Sequence, residues 1–178
     1  MKKDNFTLIE ILGVTALIII LLLIGVGAYS YAVDSSREKS TRATITRLEN
    51  AFKMIQDKGL MQVTTGSAYV KIKFDSENKE VSLGSEEISG EAWKLFVKAV
   101  DADSIDSILD SDNFICDGWE QPLYLRFPGK FNRGGFDIIS AGSDGTFGSE
   151  NKDVPETEIG KYKDSAGELI CDDIANFL

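Results

Sequence analysis

The stretch NFTLIEILGVTALIIILLLIGVGAYSYA, residues 5–32, decides the architecture of this chain. Between Phe6 and Val33 the only charged residue is Glu10. About 20 apolar residues span a bilayer, so a run of this length predicts a helix that lies in a membrane or in the core of an assembly. A carboxylate within such a helix costs roughly 2.5–3.5 kcal/mol on insertion scales. Glu10 therefore needs a partner that an ordinary membrane anchor does not supply.

Composition excludes several classes of function. The chain has 178 residues, a formal net charge of -10 and no histidine. This length leaves room for one domain beside the apolar segment. An acidic domain repels nucleic acid, and the missing histidine removes the commonest general base and zinc ligand. No G-x-S-x-G motif occurs, and no cysteine can pair with a histidine. We therefore predict that the protein is not an enzyme and binds no nucleic acid.

The apolar run continues into a segment with helical periodicity. Within residues 36–59 the apolar positions recur three and four residues apart and form one narrow stripe, namely Ile45, Leu48, Phe52 and Ile55. No proline interrupts this part of the chain. We predict one continuous helix from Phe6 to Lys58, apolar all round in its first half and amphipathic in its second, with Gly59 as the C-terminal cap.

The remainder of the chain has the pattern of an α+β domain. AYVKIKF (68–74) alternates apolar and polar residues and, with KEVSL (79–83), predicts a hairpin. LYLRF (123–127) and FDIIS (136–140) predict a second hairpin with a Gly-rich connection. Between the hairpins, SGEAWKLFVKAV (89–100) predicts a short helix whose apolar face is Ala92, Leu95, Phe96 and Ala99. The predicted fold is α+β, a long N-terminal helix packed against a small antiparallel sheet.

The N-terminus has three interpretations. A secretory signal peptide has an apolar core of 7–15 residues and a small-residue cleavage site, and this chain fits neither. A plain signal anchor fits the length but leaves Glu10 unexplained. In the third interpretation, a basic leader followed by Phe-Thr-Leu-Ile-Glu and a long apolar helix resembles the N-terminus of type IV pilins and pseudopilins.

This resemblance implies specific processing and assembly. The leader would be residues 1–5, removed by a prepilin peptidase between Asn5 and Phe6, and the new amine of Phe6 would be methylated. The family normally has glycine before the cut, whereas this chain has Asn5. Glu10 would be the fifth mature residue, paired in a filament with the N-terminal ammonium of a neighbouring subunit. Pairing would neutralise the carboxylate, and only assembly would supply the partner.

The same resemblance predicts the topology. Residues 6–33 would form the transmembrane or filament-core helix, and 34–178 an extracytoplasmic, pilin-like head. Because Lys2 and Lys3 precede the helix, the N-terminus would stay cytoplasmic in a single-pass inner-membrane protein, with the head periplasmic or extracellular.

A second region of the sequence makes the resemblance to a family more specific. Residues 117–148 resemble the C-terminal part of the type II secretion major pseudopilin at a set of matching positions: Asp117, Trp119, Pro122, Tyr124, Pro128, Gly129, Ser140, Gly142, Asp144 and Gly145. The family's closing residues recur as Asp173, Ile174 and Phe177. Residues 60–115 show no recognisable resemblance to this family, and residues 149–171 have the pattern of an insertion into its C-terminal part.

The resemblance implies a structural subunit of a type II secretion-like periplasmic filament. Its partners would be copies of itself, other pseudopilins, the prepilin peptidase, an assembly platform and the inner membrane. A type IV pilin of a surface filament and a signal-anchored extracytoplasmic domain protein stay open as alternatives. Secretion, surface adhesion and DNA uptake are not distinguished by the residues.

In type II secretion pseudopilins the C-terminal loop binds calcium, an ion that takes six to eight oxygen ligands. By this resemblance the ligands would be the carboxylates of Asp144, Asp172 and Asp173 and the backbone carbonyls of Ala141 and Ser143, with Asp153 as a weaker candidate. The run lacks the residue pattern of an EF-hand. From the residues alone, ordinary solvated turns are the alternative.

Cys116 and Cys171 are the only cysteines. A single pair in an exported domain favours a disulfide, which would close a loop of about 55 residues and contribute about 4 kcal/mol in the chain-entropy model. Two unpaired buried thiols are the alternative.

Overall fold

The computed structural model describes residues 8–61, 63–101, 105–147 and 172–177, except for the side chains of residues 24–28. The chain divides into two compact units, Met1–Ser36 and Arg37–Leu178. Helix α1 covers Leu8–Asp57 and helix α2 covers Gly90–Val100. The strands are β1 (Val70–Asp75), β2 (Glu80–Leu83), β3 (Glu86–Ile88), β4 (Tyr124–Arg126), β5 (Asp137–Ser140) and β6 (Ile174–Ala175). The α+β architecture predicted from the sequence is confirmed.

The first part of α1 exposes its apolar side chains. From Leu8 to Leu23 every described residue is exposed, with a relative solvent exposure of 81% for Leu8 and 70% for Leu23. Glu10 lies in the first turn of the helix.

Among residues 8–61, 63–101, 105–147 and 172–177, no helix combines the length and the apolar character that a membrane crossing requires.

The second part of α1 supplies the core of the Arg37–Leu178 unit. The predicted stripe of Ile45, Leu48, Phe52 and Ile55 is buried to 3% exposure or less. The ring of Phe52 lies 5.3 Å from that of Phe96 on α2 and 5.4 Å from that of Phe136 beside β5. The helix ends at the predicted cap, because Gly59 has a φ of 69° and the Leu60 amide donates to the Ile55 carbonyl at 3.0 Å.

The six described strands form one antiparallel sheet in the order β3-β2-β1-β4-β5-β6. Both predicted hairpins are present, with Ile72 opposite Leu83 in the first and Leu125 opposite Ile138 in the second. The alternation in β1 buries Ile72 and Phe74 and leaves Lys71 exposed. One face of the sheet therefore packs into the core that includes the α1 stripe.

Several features differ from the sequence prediction. The apolar face of α2 includes Trp93 and Val100, which are buried, whereas Leu95 and Ala99 are only half-buried. Trp93 is buried because its ring stacks on the ring of Phe74, with the two ring centroids 4.8 Å apart. β3 was not predicted, since Glu86 and Glu87 interrupt any apolar pattern, and both are exposed at the sheet edge.

β6 is the other strand that the sequence did not predict. It is two residues long and pairs with β5, with Ser140 opposite Ile174. The side chain of Asn176 supports it, accepting from the Ile138 amide at 2.9 Å and donating to the Phe136 carbonyl at 2.8 Å. This pairing brings the residues that precede β6 beside the loop that follows β5.

Candidate functional site

The candidate site is the loop that follows β5, residues 141–147, here called the β5 loop. Gly142 has a φ of 69°, a conformation that L side chains rarely adopt. A Cβ at this position would collide with the backbone of Asp172. Glycine is therefore required here for the β5 loop to approach the segment that enters β6.

The carboxylate of Asp172 binds the β5 loop directly. Its Oδ2 accepts a hydrogen bond from the Ser143 hydroxyl at 2.7 Å and another from the Asp144 amide at 2.9 Å. Asp144 in turn accepts from the Thr146 amide at 2.7 Å through its own Oδ1. Two acidic residues that are 28 positions apart in sequence thus lie together, one on the β5 loop and one on the segment that enters β6.

All five predicted calcium ligands lie on these two adjoining segments. Ala141 and Asp173 are buried, while Ser143 and Asp144 are exposed and Asp172 is half-buried. The donor set consists of carboxylate and carbonyl oxygens, which fits a hard cation such as calcium. Within the part of the chain that the structure describes, no group of three or more acidic or cysteine side chains is arranged to hold a metal ion. The calcium ligands stay a prediction, and Asp153 lies outside the described residues.

The buried carboxylate of Asp117 holds the start of the β5 loop through hydrogen bonds. Only 6% of Asp117 is exposed. Its Oδ1 accepts from the amides of Trp119 at 2.8 Å and Gln121 at 2.9 Å, which fixes a tight turn. Its Oδ2 accepts from the Ser140 hydroxyl at 2.5 Å, and the Ser140 oxygen accepts from the Gly142 amide at 3.0 Å. Asp117 therefore joins its own turn to the start of the β5 loop.

Cys116 precedes this carboxylate and is buried. Burial is the largest cause that raises the pKa of its thiol to about 11, and the carboxylates of Asp110 and Asp117 act in the same direction. Its Sγ lies 3.5 Å from the Phe114 carbonyl oxygen. Cys171 lies outside the described residues, so the predicted disulfide stays a prediction.

The residues predicted for processing and assembly lie at the other end of the chain. Asn5 and Phe6 are outside the described residues. Glu10 lies in the first turn of α1 and is exposed. None of these three belongs to the unit that contains the β5 loop.

Comparison with models of known protein families gives a match to part of the chain. Residues 97–158 match the family model described as Type II secretion system (T2SS), protein G. This part of the chain is similar to a pseudopilin family. The matched range contains all of residues 117–148, the region in which the sequence resembles that family, and it supports the predicted pseudopilin-like family. No curated protein and no solved structure matches the chain significantly.

The similarity of residues 97–158 to a pseudopilin family bears on the function. Pseudopilins of the T2SS are structural rather than enzymatic, which agrees with the prediction that this chain is not an enzyme. They are membrane-associated and act together with other pseudopilins. The β5 loop lies within the matched range, residues 97–158.

Asp137 is a buried site residue that the sequence did not predict. It is fully buried at the start of β5 and accepts hydrogen bonds from the amides of Lys130, Phe131 and Asn132 at 2.6, 3.0 and 2.8 Å. The Tyr69 hydroxyl also donates to it at 3.2 Å. The one available signal is an acidic residue between Phe136 and Ile138, in a strand that is otherwise apolar, directly after the Gly-rich connection.

Proposed function

We propose that this protein is a structural subunit of a type II secretion-like periplasmic filament, assembled through its N-terminal helix after removal of residues 1–5. The observation that carries the proposal is the match of residues 97–158 to T2SS protein G. Exposure of the apolar side chains from Leu8 to Leu23 supports it, because such a surface is stable only when a bilayer or other copies cover it.

Processing is the first step of the proposed function. A prepilin peptidase cuts between Asn5 and Phe6, and methylation of the Phe6 amine keeps its positive charge. Before assembly the apolar segment lies in the inner membrane as a single pass, with its N-terminus cytoplasmic. In the filament, Glu10 of one subunit pairs with the ammonium of a neighbour, which offsets the cost of placing a carboxylate in an apolar medium.

Calcium binding at the β5 loop is part of this proposal. Asp144, Asp172 and Asp173 would supply carboxylates, and Ala141 and Ser143 would supply carbonyl oxygens. When bound, the ion would neutralise acidic side chains that otherwise repel one another. Asp172 supports the proposal because it already contacts both Ser143 and Asp144.

A disulfide between Cys116 and Cys171 is the second structural element that we propose. Cys171 precedes Asp172, which contacts the β5 loop, and Cys116 precedes Asp117, which supports that loop. A bridge here would tie the two segments that frame the proposed calcium site.

The assembly function is tested with Glu10→Ala in the full-length chain, co-expressed with its prepilin peptidase and assembly platform. The variant should remain in the membrane fraction, while the yield of cross-linked filament falls by at least about tenfold, since breaking a buried ion pair is strongly unfavourable. Thr15→Ala, another exposed position on α1, is the matched control and should assemble normally. Normal filament yield from Glu10→Ala would contradict the assembly role.

The class of filament is tested by genetic context. A secretion ATPase and an outer-membrane secretin encoded beside this chain would support secretion. Neighbouring adhesin or DNA-uptake genes would instead favour the surface-pilin alternative.

A further inference from the structure

A buried chain of hydrogen bonds connects the β5 loop to helix α1. Its central member is Asp117, whose two carboxylate oxygens face in different directions. Oδ1 holds the Trp119 and Gln121 amides, and Oδ2 holds the Ser140 hydroxyl. Because the Asp117 carboxylate is buried and both oxygens accept hydrogen bonds, the turn and the strand end cannot move apart without leaving a buried charge unsatisfied.

At α1, this series of hydrogen bonds ends where two backbone segments lie in close contact. The Gly118 amide donates to the Thr41 hydroxyl oxygen at 2.9 Å, and that hydroxyl donates to the Arg37 carbonyl at 2.9 Å. Thr41 is fully buried. A Cβ on Gly118 would lie 2.6 Å from the Arg37 carbonyl oxygen, so only glycine permits this approach.

The same series of hydrogen bonds and contacts also reaches the β5 loop without a gap. Ser140 accepts from the Gly142 amide, and Gly142 lies against the backbone of Asp172. Asp172 in turn holds Ser143 and Asp144. The links are hydrogen bonds, one backbone contact and the peptide bond between Asp117 and Gly118, and together they run from α1 to the residues proposed to bind calcium.

We propose that Asp117 is a positioning residue that couples the order of the β5 loop to the Arg37–Thr41 turn of α1. A cation that orders the loop would then also stabilise this turn, where α1 enters the Arg37–Leu178 unit. Loosening the turn would loosen the loop, since coupling between two sites is reciprocal. The cation part rests on the calcium proposal made above, whereas the mechanical coupling holds with or without the ion.

The coupling is tested by hydrogen–deuterium exchange, read by mass spectrometry, on the full-length protein in detergent. Thr41→Val removes the hydroxyl that binds Gly118 and nearly keeps the side-chain shape, and Thr41→Ser keeps the hydroxyl. In Thr41→Val, exchange of the peptide covering 141–147 should rise about tenfold, as expected when a buried hydrogen bond is lost. Thr41→Ser should exchange like the unchanged protein. A purely local role for Thr41 would raise exchange only near residues 37–45, and that result would overturn the proposal.

The reverse direction of the coupling is tested by removing a hydrogen bond at the β5-loop end of the network. Ser140→Ala should raise exchange of residues 37–45, and it serves as the test if Thr41→Val does not fold. Calcium should slow exchange of residues 37–45 in the unchanged protein but not in Asp117→Asn, where an NH₂ group replaces one carboxylate oxygen. If calcium changes no peptide while Thr41→Val still loosens the loop, the calcium proposal fails and the coupling stands. If calcium protects residues 37–45 equally in Asp117→Asn, Asp117 is not the coupling residue.

Discussion

At the scale of single residues, the head is organised by carboxylates that accept backbone hydrogen bonds inside the core. Asp137 is the clearest case, because its two oxygens accept from three consecutive amides of the connection between β4 and β5. This connection, residues 127–136, carries Phe127 and Phe136, whose rings stack at 4.6 Å, but the residues between them are mostly polar or glycine. Asp137 fixes the backbone of that polar part, since a carboxylate is a stronger hydrogen-bond acceptor than a neutral group.

Asp137→Asn should destabilise the protein by about 1–3 kcal/mol, because one acceptor oxygen becomes an NH₂ group that faces an amide donor. The measurement is denaturant unfolding of the full-length chain in detergent. Asp106→Asn is the matched control, since it removes the same charge at an exposed position and should change stability by less than about 0.5 kcal/mol. Equal effects from the two substitutions would show that Asp137 contributes only its charge.

Cys116 gives the reduced protein a specific dependence on pH. Its folded-state pKa is raised from an ordinary 9.0 to about 11, so between these values the unfolded thiol ionises while the folded thiol stays protonated. The unfolded state then binds fewer protons, and the free energy of unfolding should fall as pH rises through this window. Below pH 9 the contribution is constant.

The measurement compares the unfolding of the reduced protein with that of Cys116→Ala from pH 8 to pH 11. The variant should show a shallower decline. An identical decline would mean that Cys116 does not titrate in this window. In the oxidised protein, a mass lower by two hydrogen atoms would identify the proposed bridge to Cys171.

At the scale of elements, the β5 loop is the part of the molecule whose stability should depend on a ligand. A ligand that binds only the folded state stabilises it by about 2.7 kcal/mol at a hundredfold excess over Kd. The full-length protein in detergent should therefore melt about 5–10 °C higher in millimolar calcium than in chelator. Magnesium should substitute poorly, because it requires tighter octahedral geometry.

Asp144→Ala should abolish this calcium-dependent difference and leave the far-ultraviolet helix signal unchanged. Asp106→Ala, an exposed acid outside the loop, should retain the full difference. A melting point that ignores both calcium and Asp144→Ala would show that the loop is an ordinary solvated turn.

Elements with a strong period were predictable from the sequence, and elements fixed by tertiary contacts were not. The α1 stripe and both hairpins follow from the spacing of apolar residues. β3 begins with two glutamates, and β6 is two residues long, so neither carries a periodic signal. The residues of the candidate site also differ in whether the sequence could predict them. Asp144 and Asp172 were predicted by resemblance, whereas the role of Asp117 depends on Thr41 and Ser140, which are distant from it in sequence.

At the scale of the whole molecule, the proposed assembly into a filament begins with processing of the N-terminus. We expect the mature protein to begin at Phe6 with a methylated amine. Mass spectrometry of membrane-extracted protein, produced with and without prepilin peptidase, tests this expectation. Asn5→Gly restores the glycine that the family normally has before the cut, and it should be processed at least as fast. An intact Met1 in assembled material would contradict the prediction.

The acidic edge strand β3 has a consequence for the proposed filament, in which many copies of the chain lie together. A strand at the edge of a sheet presents unpaired amides and carbonyls that can pair with the same edge of another copy, which leads to aggregation. Here that edge is three residues long, and Glu86 and Glu87 are both exposed on it. When heads are crowded, like charges on facing edges repel and oppose backbone pairing between copies. Replacing both glutamates with valine would turn the same edge into a template for sheet growth between neighbouring subunits.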